Sequence, residues 1–170
     1  MGNNSADKAG RGGLAWGPLA IVLFWLAVMG ALYAVMSQVV KPPPLVVSST
    51  GELSIPRSRD GHFYAEGEIA GRAVTFLVDT GASLVVVSET FAREAGLAAG
   101  EPTTFRTANG ELKGRLVPGL TVSVGPARIS GLRVGVGLVG LDPSVALLGQ
   151  SFLSRFEVVL SGDTMILRPR

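Results

Sequence analysis

No charged residue occurs between Arg11 and Lys41, and within that gap Gly17 to Ser37 is apolar almost throughout. About twenty such residues cross a hydrocarbon layer of roughly 30 Å as a helix, and lipid admits only elements that satisfy their own backbone hydrogen bonds. The segment therefore predicts a transmembrane helix over residues 14–40, and the rest of the fold has to be built outside the bilayer. Trp16 and Tyr33 stand near its two ends, where aromatic rings settle at headgroup level. A cleavable signal peptide is the competing reading, but its apolar region runs about 7–15 residues and closes on a small-x-small site. The stretch Ala34 to Gln38 makes a poor site of that kind. Lys8 and Arg11 precede the span while Lys41, Arg57 and Arg59 follow it, so flanking charge barely sets the orientation. The simpler insertion keeps residues 1–13 inside as a short tail and the larger part of the chain outside.

Lys41 is followed by three prolines and then by a run rich in Ser, Gly and charge up to Asp60. Consecutive prolines favour extended geometry and cannot continue a helix, so residues 41–60 are expected to be a tether and residues 61–170 the folded domain. The chain carries 15 Lys/Arg and 13 Asp/Glu, of which ten and ten lie from Gly61 onward, so the excess of +2 belongs wholly to the first sixty residues. No basic face is implied for the domain, which argues against nucleic acid as a partner. With no cysteine there is no disulfide, thiolate metal site or cysteine nucleophile, and a single histidine, His62, argues against a Ser-His-Asp triad or a His-rich metal site.

The domain reads as short strands and turns. Phe63, Ala65, Gly67 and Ile69 fall on one face of a first strand, with Tyr64, Glu66, Glu68 and Ala70 on the other. Gly71-Arg72 reads as a turn before Ala73–Val78, and Leu84–Val87 follows as a third strand. One helix is expected with Ser88 as N-cap, Glu89 in its first turn and Gly96 as its stop. Thr103–Ala108 and Glu111–Val117 flank Asn109-Gly110, a strong hairpin signal. Further strands are expected around Leu120–Val124, Ala127–Val139 and Ala146–Leu148. A short helix follows Gly149, and a last hairpin, Phe156–Leu160 with Thr164–Leu167, closes the chain. Many short strands without a long helix predict an all-β, small closed barrel with one or two short helices.

One carboxylate stands out. Asp79 follows an apolar strand directly and sits on a turn, Thr80-Gly81-Ala82-Ser83, whose glycine lets another backbone or a substrate come close. The hydroxyls of Thr80 and Ser83 are candidates to orient it, and burial among valines and leucines would push its pKa up. Taken alone, Asp-Thr-Gly is also an ordinary turn after a strand. His62, at a strand start, is expected to be a surface or capping residue; Asp142 and Asp163 read as turn residues, and Arg106 and Arg115 flank the hairpin as candidates to steer substrate.

Over residues 62–168 the pattern resembles the retropepsin-like aspartic proteases of the bacterial membrane-anchored type. Three landmarks carry the resemblance: Asp79-Thr80-Gly81-Ala82-Ser83 after its strand, the hairpin Ala108-Asn109-Gly110 where such proteins place a flap, and Leu147-Leu148-Gly149 before a helix. Viral members have Asp where this chain has Ser83 and Arg where it has Gln150, forming an ion pair; here both are neutral, so no buried charge is stranded. The resemblance implies a peptide-hydrolysing enzyme without metal or organic cofactor. It also implies a homodimer, because the chain carries one Asp-Thr-Gly and the chemistry uses two aspartates. By the same resemblance Asp79 is catalytic, Thr80 bonds across the dimer interface, the Gly81 carbonyl faces a peptide substrate and the flap excludes water. A bacterial inner-membrane location with the domain on the periplasmic side is the matching expectation. The alternative is a catalytically silent member of the fold, tethered to the membrane as a binding or regulatory module.

Overall fold

The computed structural model describes residues 16–40, 45–47, 51–97, 99–107 and 110–170. The chain divides into two compact units, Met1–Lys41 and Pro42–Arg170.

In the first unit, helix α1 covers Trp16–Val40. Its apolar part, Gly17–Ser37, is 21 residues long and has no buried side. At 1.5 Å per residue it spans about 31 Å, the thickness of a bilayer core. An uncharged helix with apolar side chains exposed all round is suited to lipid.

The second unit is built from β1 (Val46–Val47), β2 (Leu53–Pro56), β3 (Tyr64–Ile69), β4 (Arg72–Val78), β5 (Val85–Ser88), α2 (Glu89–Glu94), β6 (Glu101–Thr107), β7 (Gly110–Val124), β8 (Ala127–Leu138), β9 (Val145–Leu148), α3 (Gln150–Leu153), β10 (Phe156–Ser161) and β11 (Thr164–Pro169). The larger sheet has the order β3-β4-β9-β5-β8-β7-β6, and β7 also pairs with β3, so the sheet closes into a barrel with β6 added outside. Closure is made where Gly67 meets Val124, Glu68 meets Ser123 and Ile69 meets Val122. A Cβ on Gly67 would stand 2.1 Å from the Ser123 carbonyl oxygen, so the seam needs glycine there. Alternation does the rest. Val74, Phe76 and Val78 of β4, Val85 and Val87 of β5, and Val134 and Val136 of β8 point inward and are buried. The all-β barrel with short helices is therefore the observed fold.

Helix α2 starts where its capping residue puts it: Ser88 is extended and its hydroxyl oxygen accepts the Phe91 N–H at 3.0 Å. Gly96, at φ +70°, follows the helix.

Three local expectations are corrected. The segment expected to be a tether over 41–60 carries β1 and β2, and β2 pairs with β11 in a second sheet of order β1-β2-β11-β10. Leu53 and Ile55 are fully buried there, because Leu-Ser-Ile-Pro alternates as a strand does despite its Ser- and Pro-rich neighbours. The first hairpin turn falls one residue earlier than expected: Ile69 pairs with Arg72, leaving Ala70-Gly71 in the loop, both at positive φ. The strands expected at 111–117 and 120–124 are one strand, β7, whose register shifts between Val117 and Leu120. Pro118-Gly119 is thus an irregularity inside a strand.

Candidate active site

The alternation that buries Val74, Phe76 and Val78 places Leu77, and after it Asp79, on the outer side of the barrel wall. Asp79 is half-buried, and its Oδ1 accepts the Gly81 N–H at 2.8 Å. The donor that fixes the carboxylate is thus a backbone amide two residues on, the geometry of an Asx turn. Thr80 and Ser83, whose hydroxyls were the expected partners, are exposed.

Five hydrogen bonds fasten the turn to the segment around Gly149. The Asp79 N–H donates to the Leu148 carbonyl at 3.2 Å, the Gln150 N–H to Ala82 at 2.8 Å and the Ser151 N–H to Ser83 at 3.0 Å. The Gln150 side-chain amide donates to the Thr80 carbonyl at 2.9 Å, and the Val85 N–H donates to the Ser151 hydroxyl at 3.1 Å. Gly149 is the wedge between the two segments: a Cβ there would lie 2.2 Å from the Leu84 oxygen and 2.6 Å from the Ala82 oxygen. Ser83 and Gln150 therefore do not replace an ion pair with a bond between themselves: the Gln150 amide serves the Thr80 backbone.

Leu147 and Leu148 part company. Leu148 is fully buried in the core, whereas Leu147 is half-buried on the outer side. Strand register continues that outer side as a row. Leu77 pairs with Leu147, Leu147 with Val86, Val86 with Gly135, and Gly135 with Leu116. Leu77, Leu147, Val86 and Leu116 are all half-buried. This apolar shelf begins at Leu77, two residues before Asp79 on the same side of the strand. The motif-based reading missed Leu77 and Val86, although period-2 counting back from Asp79 points to the first.

β6 and β7 form the expected hairpin, paired from Glu101↔Leu116 to Thr107↔Gly110. The Thr107 hydroxyl donates to the Gly110 carbonyl at 2.8 Å. Gly110 opens β7; Ala108 and Asn109 lie outside the described residues. Arg106 is exposed. Arg115 instead turns to the body of the domain, with one guanidinium nitrogen 2.5 Å from Glu89 at the start of α2 and another donating to the Leu97 carbonyl at 3.0 Å. That ties down the root of the hairpin and removes Arg115 from the substrate-steering candidates.

His62 is exposed at the foot of β3, where its N–H donates to Asp60 Oδ1 at 3.0 Å and the Tyr64 hydroxyl donates to Oδ2 at 2.8 Å. The His62 amide, and after it the Tyr64 hydroxyl, hold the Asp60 carboxyl below its ordinary range.

A closed barrel with one aspartate on the turn after an inner strand, locked to an apolar-apolar-Gly segment and carrying a β-hairpin at its edge, is the scaffold of a single-lobed aspartic protease. The sequence pattern of the gag-polyprotein putative aspartyl protease family matches residues 65–155. A solved structure, the retropepsin-like aspartic protease from Rickettsia conorii, is 38% identical, with a TM-score of 0.59 over 69% of this chain and 89% of that one. An uncharacterized protein of Rickettsia prowazekii (strain Madrid E) is 35% identical over 113 residues, 65% of this chain and 48% of its own. An uncharacterized protein in the cobV 5' region of Sinorhizobium sp is 32% identical over 134 residues, 73% of this chain and 55% of its own. The chain thus spans about half the length of the curated relatives it matches. It belongs to the retropepsin-like aspartic protease family.

Proposed function

We propose that the chain is a membrane-anchored aspartic endopeptidase whose working form is a homodimer, with Asp79 of each copy meeting on a two-fold axis. The observation that carries this reading is the half-buried Asp79 carboxylate, held by the Gly81 amide at the head of an apolar shelf. Two such carboxyls brought close share one proton, since like charges at that distance repel. One takes a proton from a bound water, which attacks the scissile carbonyl, while the other donates a proton to the forming oxyanion. Thr80, exposed beside the aspartate in a single chain, would in this reading bond across the interface. The Gly81 carbonyl and the outer row Leu77, Leu147, Val86 and Leu116 then receive an extended peptide, and the β6–β7 hairpin covers it.

In this reading α1 spans the bacterial inner membrane once and leaves the protease domain on the periplasmic side. Anchoring confines both copies to a plane, which raises their effective concentration and populates a weak dimer.

Cleavage of a denatured protein at mildly acidic pH by the full chain tests the chemistry. Asp79→Asn should abolish cleavage while leaving thermal stability close to that of the wild type, because the amide oxygen of asparagine still accepts the Gly81 N–H. A statine-type inhibitor should also block it, and sedimentation should find the active species to be a dimer. Cleavage that survives Asp79→Asn would remove the reading.

A further inference from the structure

We propose that Phe105 is a positioning residue, an aromatic latch that holds the β6–β7 hairpin against the barrel, and that Gly114 and Gly135 form its socket. The consequence for peptide cleavage rests on the protease reading; the latch itself does not.

β6 is the last strand of its sheet and has one hydrogen-bonded neighbour, β7. Edge strands with a single neighbour are the easiest to open. Phe105 is half-buried on the side of β6 that faces the apolar row, and its ring reaches across β7 as far as β8. The path is open because no side chain lies in it. A Cβ on Gly114 of β7 would stand 2.5 Å from the ring's Cε2, and one on Gly135 of β8 would stand 2.9 Å from its Cζ. Gly135 is buried beneath that ring and pairs with Val86 of the shelf. A Cβ on Gly135 would also stand 3.3 Å from Val86 Cγ2, so Phe105 and Val86 flank the same glycine. The other face of the hairpin, Thr104, Arg106, Glu111 and Lys113, is exposed and polar. One ring therefore ties the outermost strand to the second strand inward and sets the hairpin beside the shelf that leads to Asp79.

Gly135 gives the cleaner test of the two glycines. At Gly114 an added methyl would also meet the Val136 carbonyl oxygen at 2.3 Å, whereas at Gly135 the three nearest atoms all belong to the Phe105 and Val86 side chains. The experiment measures amide hydrogen exchange of the full chain in detergent micelles for wild type, Phe105→Ala, Phe105→Leu, Gly135→Ala and the double variant Phe105→Ala/Gly135→Ala. Phe105→Ala should speed exchange in residues 101–107 and 110–117 by about tenfold or more, with residues 72–78 and 145–148 unchanged. Phe105→Leu should recover part of the protection. Gly135→Ala should loosen the same segments, and on the Phe105→Ala background its effect should be much smaller, because the ring has gone and only the 3.3 Å approach to Val86 remains. With a peptide substrate, Phe105→Ala should raise KM by about tenfold and change kcat little, the pattern of lost positioning.

Unchanged hairpin exchange in Phe105→Ala, or a Gly135→Ala effect equally large with and without the ring, overturns the latch. Failure of the protease reading would show separately, as absence of cleavage by the wild type, and the exchange results would still decide for or against Phe105.

Discussion

Gly149→Ala puts the candidate site under the most direct strain, because its added methyl meets backbone. The new carbon would lie 2.2 Å from the Leu84 oxygen and 2.6 Å from the Ala82 oxygen. Ordinary carbon–oxygen contact begins near 3.3 Å, so the segments 79–84 and 148–151 must separate by about 1 Å, whereas a rotamer change would relieve a clash with a side chain. The Gln150 N–H to Ala82 and Ser151 N–H to Ser83 bonds follow the wedge in the chain, at 2.8 and 3.0 Å, and the Asp79 N–H to Leu148 bond before it is already long at 3.2 Å. Losing two or three such bonds, at about 1 kcal/mol each, gives a destabilisation of roughly 2–3 kcal/mol. For a folded unit of this size that lowers Tm by roughly 8–15 °C. Activity should suffer more than stability, since displacing the aspartate by about 1 Å can cost about a hundredfold in rate. Thermal denaturation and peptide cleavage at a temperature where both proteins remain folded separate the two effects. A variant that melts within about 2 °C of the wild type and cleaves at full rate would refute the wedge argument, since an error that small leaves no room for the separation it requires.

Three other outcomes follow from the same geometry. Removing residues 1–41 should leave the second unit folded but weaken dimerisation, whereas removing residues 1–60 deletes β2 with the fully buried Leu53 and Ile55 and should cost about 3–6 kcal/mol of stability, read by urea denaturation. Arg115→Ala should destabilise by about 1–3 kcal/mol, because it strips packing and orphans the Leu97 carbonyl; Glu89→Gln, at an exposed partner, should cost under about 1 kcal/mol in the same assay. Asp60 has a depressed folded pKa, so its contribution is fully present above its unfolded value of 3.8 and disappears as pH falls through the lower folded value. The Tm difference between wild type and Asp60→Asn should therefore persist at pH 5–7 and shrink progressively as pH falls below 3.8.

What the sequence disclosed and what it withheld divide along one physical line. Features set by neighbours in the chain were readable: the apolar span of α1, the Ser88 cap, the alternation of β3 and β4, and the aspartate placed straight after a strand. Features set by distant neighbours were not. Leu53 and Ile55 looked like part of a spacer because their partners, Met165 and Leu167 on β11, come more than a hundred residues later. Arg115 looked free to meet substrate because nothing local announces Glu89 and the Leu97 carbonyl as its destinations. Gln150 looked like half of a neutralised ion pair, when its amide in fact serves the Thr80 backbone.

The site shows the same division within five residues. Asp79 could be singled out because an acid at the end of an apolar run is costly wherever it goes. Its restraint could not be assigned, since three groups within four residues compete to donate to it and only the backbone path decides among them; the path chosen hands the carboxylate to the Gly81 amide. That path is itself imposed from outside, by the bonds from Gln150 and Ser151 and by the absence of a side chain at Gly149. The Asp-Thr-Gly turn and the Leu-Leu-Gly segment are thus one structural unit cut in two by the sequence. A substitution in the second should therefore disturb the aspartate more than an equally large change at the exposed Ser83, which is nearer in sequence but holds nothing through its side chain that the turn depends on.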